Sequence, residues 1–352
     1  MAHEAATAPP PPAPGPADEA AIGPFAGRRP PFRTCYGALD LGTNNCRLLI
    51  AKPCEEGFTV IDAFSRVVRL GEGLATSGRI SDAAMDRAVA ALGVCGDKLR
   101  RRRVSLARSV ATEACRRAVN GRHFVERVKQ ETGIALEIIS PEEEARLAML
   151  GCHRLLEPGD GPALIFDIGG GSTELVLVDA DGVGIPKIKC WWSAPWGVVS
   201  LTESEGRDFK DAPERLAAYG RMKERVRHAF RRFSELLPPG RDNIRLLGTS
   251  GTVTTLASVH LALPAYDRRA VDGLLMPAES MREVNHMLSR MSVEERAQLP
   301  CIGPDRADLV VAGCAILEAI MDIWPAKTLG VADRGIREGI LRSMMARDGY
   351  KL

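Results

Sequence analysis

Among nine cysteines there is no C-x-x-C pair, and the count is odd. That arrangement gives no footing for a disulfide framework or a zinc ribbon, and Cys95, Cys115 and Cys314 lie inside apolar runs, so the expectation is a reduced, cytoplasmic protein. Cys152 and His153 are adjacent, but no second Cys/His cluster stands at ligand spacing, and they read as packing residues. The sequence also lacks any window approaching the roughly eighteen apolar residues of a membrane span. An excess of charge of one sign is missing too. A formal net charge of +2 points neither to nucleic acid nor to an acidic tail, so no nucleic-acid or membrane partner is expected. The opening MAHEAATAPPPPAPGPADEAAIGPFAGRRPP has no apolar h-region; residues 1–33 read as a disordered Pro/Ala-rich tail and not as a signal peptide.

What is present is a chain of 352 residues, too long for one ordinary core and suited to two lobes with a cleft between them. YGALDLGTNNCRLLIAK reads as a β-hairpin turning at Gly42, Thr43, Asn44 and Asn45, and FTVIDAFSRVVRL continues in strand character. Ser81 caps a helix that runs to Arg103. VSLARSVAT is a strand, CRRAVNGRHFVERVKQETG one helix ending at Gly133, and IALEIIS a strand. Ser140 and Pro141 then open a helix with three glutamates in its first turn. Later, DRADLVVAGCAILEAIMDIW reads as a long buried helix, TLGVAD as a strand, and a last helix starts at Arg334.

Three turns carry the chemistry. DIGGGSTELVLV places Asp167, Gly169, Gly170, Gly171, Ser172 and Glu174 between two strand-like runs, which separates it from the Rossmann and P-loop patterns, where glycines lead into a helix. Asp40-Leu-Gly and Asp167-Ile-Gly repeat one pattern, so each lobe presents one Asp-x-Gly hairpin by internal duplication. The third turn, Thr249, Ser250, Gly251 and Thr252, does lead into a helix, a seat for phosphate or ribose. Small residues of this kind let backbone N–H groups approach phosphate oxygens closely. Carboxylates beside phosphate require a cation between them, so Asp40, Asp167 and Glu174 are the expected ligands of Mg²⁺. A turn-capping Asx bond is the alternative for either Asp.

DLGTNNCRLLIA, SVATEACRRAVNG, ISPEEEARLAMLG, DIGGGSTELVLV, LGTSGTVTTLA, DRADLVVAGCAILEAI and GVADRGIREGIL resemble, in order, the signature blocks of the Ppx/GppA phosphatases, exopolyphosphatases and guanosine pentaphosphate phosphohydrolases. The resemblance runs from about Tyr36 to Met345. It implies an α/β, two-lobed actin/hexokinase/Hsp70-like fold with duplicated ribonuclease-H-like cores and the active site in the interlobe cleft. It also implies a general base at Glu144, with Glu143 before it, and phosphate contacts from Arg116 and Arg306. The family's common S-N-S is Thr43, Asn44, Asn45 here, and an Asn45 amide can still donate to phosphate. Longer members carry a helical HD-like domain, so a short two-domain type is expected: a first lobe over 34–143, completed by helix 335–352, and a second over 144–334.

The expected activity is Mg²⁺-assisted release of terminal orthophosphate from polyphosphate by a cytoplasmic enzyme, with a homodimer common in the family. A guanosine pentaphosphate (pppGpp) hydrolase uses the same residues. An ATP-binding kinase-like member of the superfold or a phosphate-ligand sensor without catalysis are the readings from other classes. KLRRRR (Lys98 to Arg103) and the basic helix Arg221 to Phe233 read as solvated helix surface.

Overall fold

YGALDL and PALIFDI, two almost uninterrupted apolar runs, form the inner strands of two separate sheets. A strand covered on both faces reads as such a run and not as an alternation. The computed structural model describes residues 35–350 except 56, 160, 181–183, 207–208 and 237–243; the expected tail lies outside the described residues.

The first sheet holds β1 (Tyr36–Leu41), β2 (Asn45–Cys54), β3 (Gly57–Val67), β4 (Leu106–Ala111) and β5 (Glu137–Ile138), in the order β3-β2-β1-β4-β5. The second holds β6 (Pro162–Ile168), β7 (Thr173–Asp179), β8 (Lys187–Ala194), β9 (Arg245–Thr249), β10 (Leu275–Pro277) and β11 (Thr328–Ala332), in the order β10-β11-β9-β6-β7-β8. Read from β8, the second sheet repeats the first. In each, three antiparallel strands are followed by two parallel ones, with β10 added at the far edge. The duplication expected from the two Asp-x-Gly turns is thus a duplication of ribonuclease-H-like topology.

The longer helices are α1 (Asp82–Arg101), α2 (Gly121–Thr132), α3 (Pro141–Cys152), α4 (Val198–Glu205), α5 (Ala212–Glu235), α6 (Gly251–His260), α7 (Ala278–Arg290), α8 (Val310–Ile323) and α9 (Ile336–Arg347). Ser81 accepts from the Ala84 N–H and Ser140 from the Glu143 N–H, as N-caps do. Among the described residues no helix is long and apolar enough to cross a membrane.

Four sequence expectations need correction. The helix expected over 115–133 breaks into Glu113–Arg117 and α2, because Asn120 is held by the Ile80 backbone through both its amide nitrogen and its oxygen, at 2.9 and 3.0 Å. A Cβ on Gly121 would also stand 2.0 Å from the Cys115 carbonyl oxygen. The IALEIIS strand shrinks to the two residues that find partners on β4, Glu137 and Ile138. Helix α8 begins at Val310 and not at Asp305, after a run of turns, and α9 begins at Ile336 and not at Arg334.

Helix α9 lies against the first sheet. Its Ile340, Leu341, Met344 and Met345 are buried with Tyr36, Leu49 and Leu147, and the Tyr36 hydroxyl donates to Asp348. Helix α3 shares that core through Leu147, while its Ala145, Met149 and Cys152 face Ile165 and Val176 of the second sheet. The two helices approach so closely that a Cβ on Gly339 would lie 2.0 Å from the Leu147 carbonyl oxygen. This contact places the N-terminal ends of α3 and α9 at the cavity between the sheets.

Candidate active site

Both hairpin turns close with the same hydrogen bond: Gly42 N–H donates to Asn45 O at 2.9 Å, and Gly169 N–H to Ser172 O at 3.0 Å. In each hairpin the Asp faces the residue seven positions on. Asp40 is paired with Arg47 across β1 and β2, and Asp167 with Glu174 across β6 and β7. The turns then meet. A Cβ on Gly170 would stand 2.9 Å from Thr43 Cβ and 3.1 Å from the Asn44 nitrogen, and one on Gly171 2.7 Å from Thr43 Oγ1. Glycine at these positions is what allows the approach. Behind them, a Cβ on Gly197 would fall 2.4 Å from the Gly170 carbonyl carbon, so α4 is seated directly on the turn.

The cavity that results has a volume of about 140 Å³. Its walls are Asp40 and the first turn (Gly42, Thr43, Asn44, Asn45), Asp167 with Gly169 to Ser172, Glu174, the third turn (Thr249, Ser250, Gly251, Thr252), Glu144 from α3 and Arg306. All of these stand out in the sequence, and the fold brings them together. In the third turn Ser250 takes φ 83°, a left-handed conformation unusual outside glycine, and its hydroxyl donates to Ile168 O at 2.5 Å, fixing that turn to the second.

Two expected site residues do not reach the cavity wall. Glu143, one position before Glu144 on α3, turns away and accepts from Arg108 at 2.7 Å and Arg146 at 2.6 Å, ion pairs that hold its carboxyl below the usual range. Arg116 stands behind Glu144. It donates to Glu144 Oε2 at 3.1 Å, to Glu113 Oε2 at 2.8 Å and to Ile139 O at 2.7 Å.

The structure also contributes residues that the sequence reading missed. Arg47 and Arg337 line the cavity, as do Glu113 and Arg334. Arg47 occupies in the first hairpin the position Glu174 occupies in the second, so the duplication itself carried the signal. Arg337 lies inside the block GVADRGIREGIL but carried no distinguishing pattern. The turn before it is fixed by Glu338, which accepts from Gly335 N–H at 2.9 Å and Arg268 at 3.1 Å.

Six carboxylates line this space, Asp40, Glu113, Glu144, Asp167, Glu174 and Asp333, and four of them are raised. Burial and neighbouring negative charge raise Asp40, push Asp167 up to about 6 and Glu174 up to about 7. Glu144, only 5 % exposed, is raised well above its ordinary value by burial and by Glu174, and Arg116 opposes that rise. Arg47 is pulled down by burial and by Arg337. Like charges sit close together in this site, so that Arg337 opposes Arg47 and Asp40 opposes Asp167 even though Asp40 and Arg47 favour each other. Asp40 Oδ1 and Asn44 Oδ1 are sealed from solvent without a hydrogen-bond partner. Unsatisfied hard oxygens of this kind suit a hard cation. Among the described residues no three His, Cys, Asp or Glu side chains are set to enclose a metal by themselves, and Glu174 accepts from Ser193 Oγ at 2.8 Å. The arrangement therefore fits Mg²⁺ as it is usually held, by one or two carboxylates together with water and phosphate.

Two repeated lobes, three small-residue turns and a cavity lined by both guanidinium groups and carboxylates define a phosphate-handling protein. The sequence profile of the Ppx/GppA phosphatase family matches residues 49–348, and the chain belongs to that family. It is 31% identical over 330 residues to exopolyphosphatase 2 of Mycobacterium tuberculosis, covering 88% of this chain and 98% of that protein. Among solved structures it is similar to the Aquifex aeolicus Ppx/GppA family member, with TM-score 0.73, 29% identity and coverage of 90% and 99% of the two chains. An exopolyphosphatase from Cytophaga hutchinsonii gives TM-score 0.80, 25% identity and the same coverage.

Proposed function

We propose that the protein is an exopolyphosphatase that releases terminal orthophosphate from inorganic polyphosphate. The observation that carries this reading is the placing of Glu144. It is the one α3 glutamate that lines the cavity, which it shares with the two hairpin turns and the arginines Arg47, Arg306 and Arg337. The 31% identity to a relative named for that activity supports the choice of substrate over guanosine pentaphosphate.

In the reaction, the turn N–H groups and the arginines hold the terminal phosphoryl group and offset its charge. Water in line with the terminal phosphorus gives a proton to Glu144 as its oxygen bonds to phosphorus, the bridging P–O bond breaks, and the shortened chain leaves carrying the bridging oxygen. Asp40 and Asp167 would hold Mg²⁺, and Glu174 would support them. When bound, the ion supplies charge neutralisation and polarises phosphoryl oxygen. Glu144 needs a proton affinity above that of an exposed carboxylate to take a proton from water, and its burial provides it, with Arg116 opposing the rise.

The test is phosphate release with Mg²⁺ from polyphosphate and from guanosine pentaphosphate side by side, with Glu144→Gln as control. Release from polyphosphate, lowered about 10²–10⁴-fold by Glu144→Gln with binding retained, is the expected result. Preference for guanosine pentaphosphate would move the assignment to that substrate. An unchanged rate in the variant would remove Glu144 from the mechanism.

A further inference from the structure

Leu309 and Val310 line the cavity, whereas their neighbours Asp308, Val311 and Ala312 line a separate pocket of about 30 Å³, which shares no residue with the cavity. The rest of that pocket comes from α4, α5, the end of α7 and the short helix Val293–Ala297. Most of its wall is apolar or already satisfied. Thr202 and Ser289, both buried, donate their hydroxyls to Val198 O at 2.7 Å and His286 O at 3.0 Å. Against this wall stand two arginines. Arg296, 5 % exposed, donates its Nε to Ser292 O at 3.1 Å, and Arg215 donates its Nε to Arg290 O at 2.9 Å. The two carbonyls belong to the connection that leaves α7, and they hold both guanidinium groups to one pocket. Among the described residues neither arginine forms an ion pair, and their terminal nitrogens have no protein partner. The carboxylate of the lining, Asp308, is paired with Arg69 at 3.1 Å. Burial pulls the Arg296 guanidinium below its ordinary value; Arg215 adds to this, and Asp308 opposes it. A buried cation without a counter-ion is costly, and here a second cation faces the same space.

We propose that this pocket binds a small oxyanion, of phosphate or carboxylate type, between Arg215 and Arg296. The inference concerns a site apart from the cavity and stands independently of the phosphatase reading. A single enclosed water needs about 10–15 Å³, so a space of about 30 Å³ admits an oxyanion headgroup and excludes a nucleotide or a chain of phosphates. Guanidinium groups already fixed through Nε keep their outer nitrogens for such a ligand, and phosphate and carboxylate both match that fork. The occupant joins α5 to the short helix Val293–Ala297 and so stabilises the packing around the start of α8.

The experiment follows the melting temperature of wild type, Arg215→Gln, Arg296→Gln and the cavity variant Arg306→Gln while inorganic phosphate, or acetate in a second arm, replaces chloride at constant ionic strength. Whatever part of the phosphate response Arg306→Gln removes belongs to the cavity. The remaining part should need about tenfold more phosphate in Arg215→Gln, as the loss of one charge-assisted contact predicts, and should vanish in Arg296→Gln. Should Arg296→Gln not fold, Arg215→Gln, at a half-buried position on α5, decides the question. A response to acetate with the same dependence on Arg215 supports the site and marks carboxylates as its ligands; a response to phosphate alone supports it and marks phosphate. In crystals soaked in selenate, an anomalous peak between the two guanidinium groups is expected. Arg215→Gln responding as wild type does, a response that Arg306→Gln removes entirely, or selenate confined to the cavity would overturn the proposal.

Discussion

Arg116 Nη2 stands 3.1 Å from Glu144 Oε2 and 2.8 Å from Glu113 Oε2, while its Nη1 donates to Ile139 O at 2.7 Å. The guanidinium is therefore committed to protein oxygens, and its role is to aim one carboxylate into the cavity. Arg116→Gln should lower kcat by roughly 10–100-fold with a smaller change in KM. It should also move the acidic limb of the pH–rate profile upward. With the cation gone, burial and Glu174 raise Glu144 unopposed, and the unprotonated base is reached only at higher pH. Arg116→Lys keeps a charge but not the fork, and should move the limb less.

Asp167, 9 % exposed and pushed up to about 6 by burial and Asp40, is held in a conformation that costs stability when no cation is present. Asp167→Asn should gain about 1 kcal/mol in metal-free buffer, or a melting temperature higher by about 2 °C. Mg²⁺ should raise the melting temperature of the wild type and leave the variant unmoved. Calorimetry with and without Mg²⁺ checks both, and a variant that melts lower than wild type without metal would contradict the account of this site.

Glycines in helices serve different ends in this chain. Gly339→Ala would drive a methyl group against the Leu147 carbonyl oxygen, 2.0 Å away, and should cost about 1–3 kcal/mol and part of the activity, because α3 carries Glu144. Gly93, inside α1, has open space where an alanine methyl would sit, with nothing within 4 Å, and Gly93→Ala should stabilise by about 0.5–1 kcal/mol. Urea denaturation of the two variants should give shifts of opposite sign.

Asp62 on β3 accepts from Lys98 Nζ at 2.7 Å and Arg102 Nε at 2.8 Å, and these two cations hold its carboxyl at about 2. A folded value below the ordinary 3.8 means stability present above that pH and lost as pH falls from 3.8 towards about 2. Solvent screens the pair, so the contribution is about 1 kcal/mol. Asp62→Asn should lose that amount at neutral pH and show a shallower fall in stability across the acidic window.

Much of this protein was determined by its sequence alone. Unbroken apolar runs gave the inner strands, Ser81 and Ser140 gave two helix starts, and the repeat of Asp40-Leu-Gly as Asp167-Ile-Gly gave the duplication, because caps, turns and strand burial are local and leave a local trace. The three turns were legible for the same reason. What tertiary structure decided were the matters settled by contacts between distant segments. Asn120 stands at the break between two helices because Ile80 is there to receive it, and β5 is short because β4 offers it only two partners. Glu143 and Glu144 are neighbours with the same local chemistry, and nothing in their own segment separates them. Arg108 draws one aside and Arg116 aims the other into the cavity, and both arginines arrive there from β4 and the short helix after it. Arg47 and Arg337 lie far apart in the chain and converge on one cavity only once both sheets have formed and α9 has packed against the first, since long-range burial, not local pattern, sets which charges must share a site.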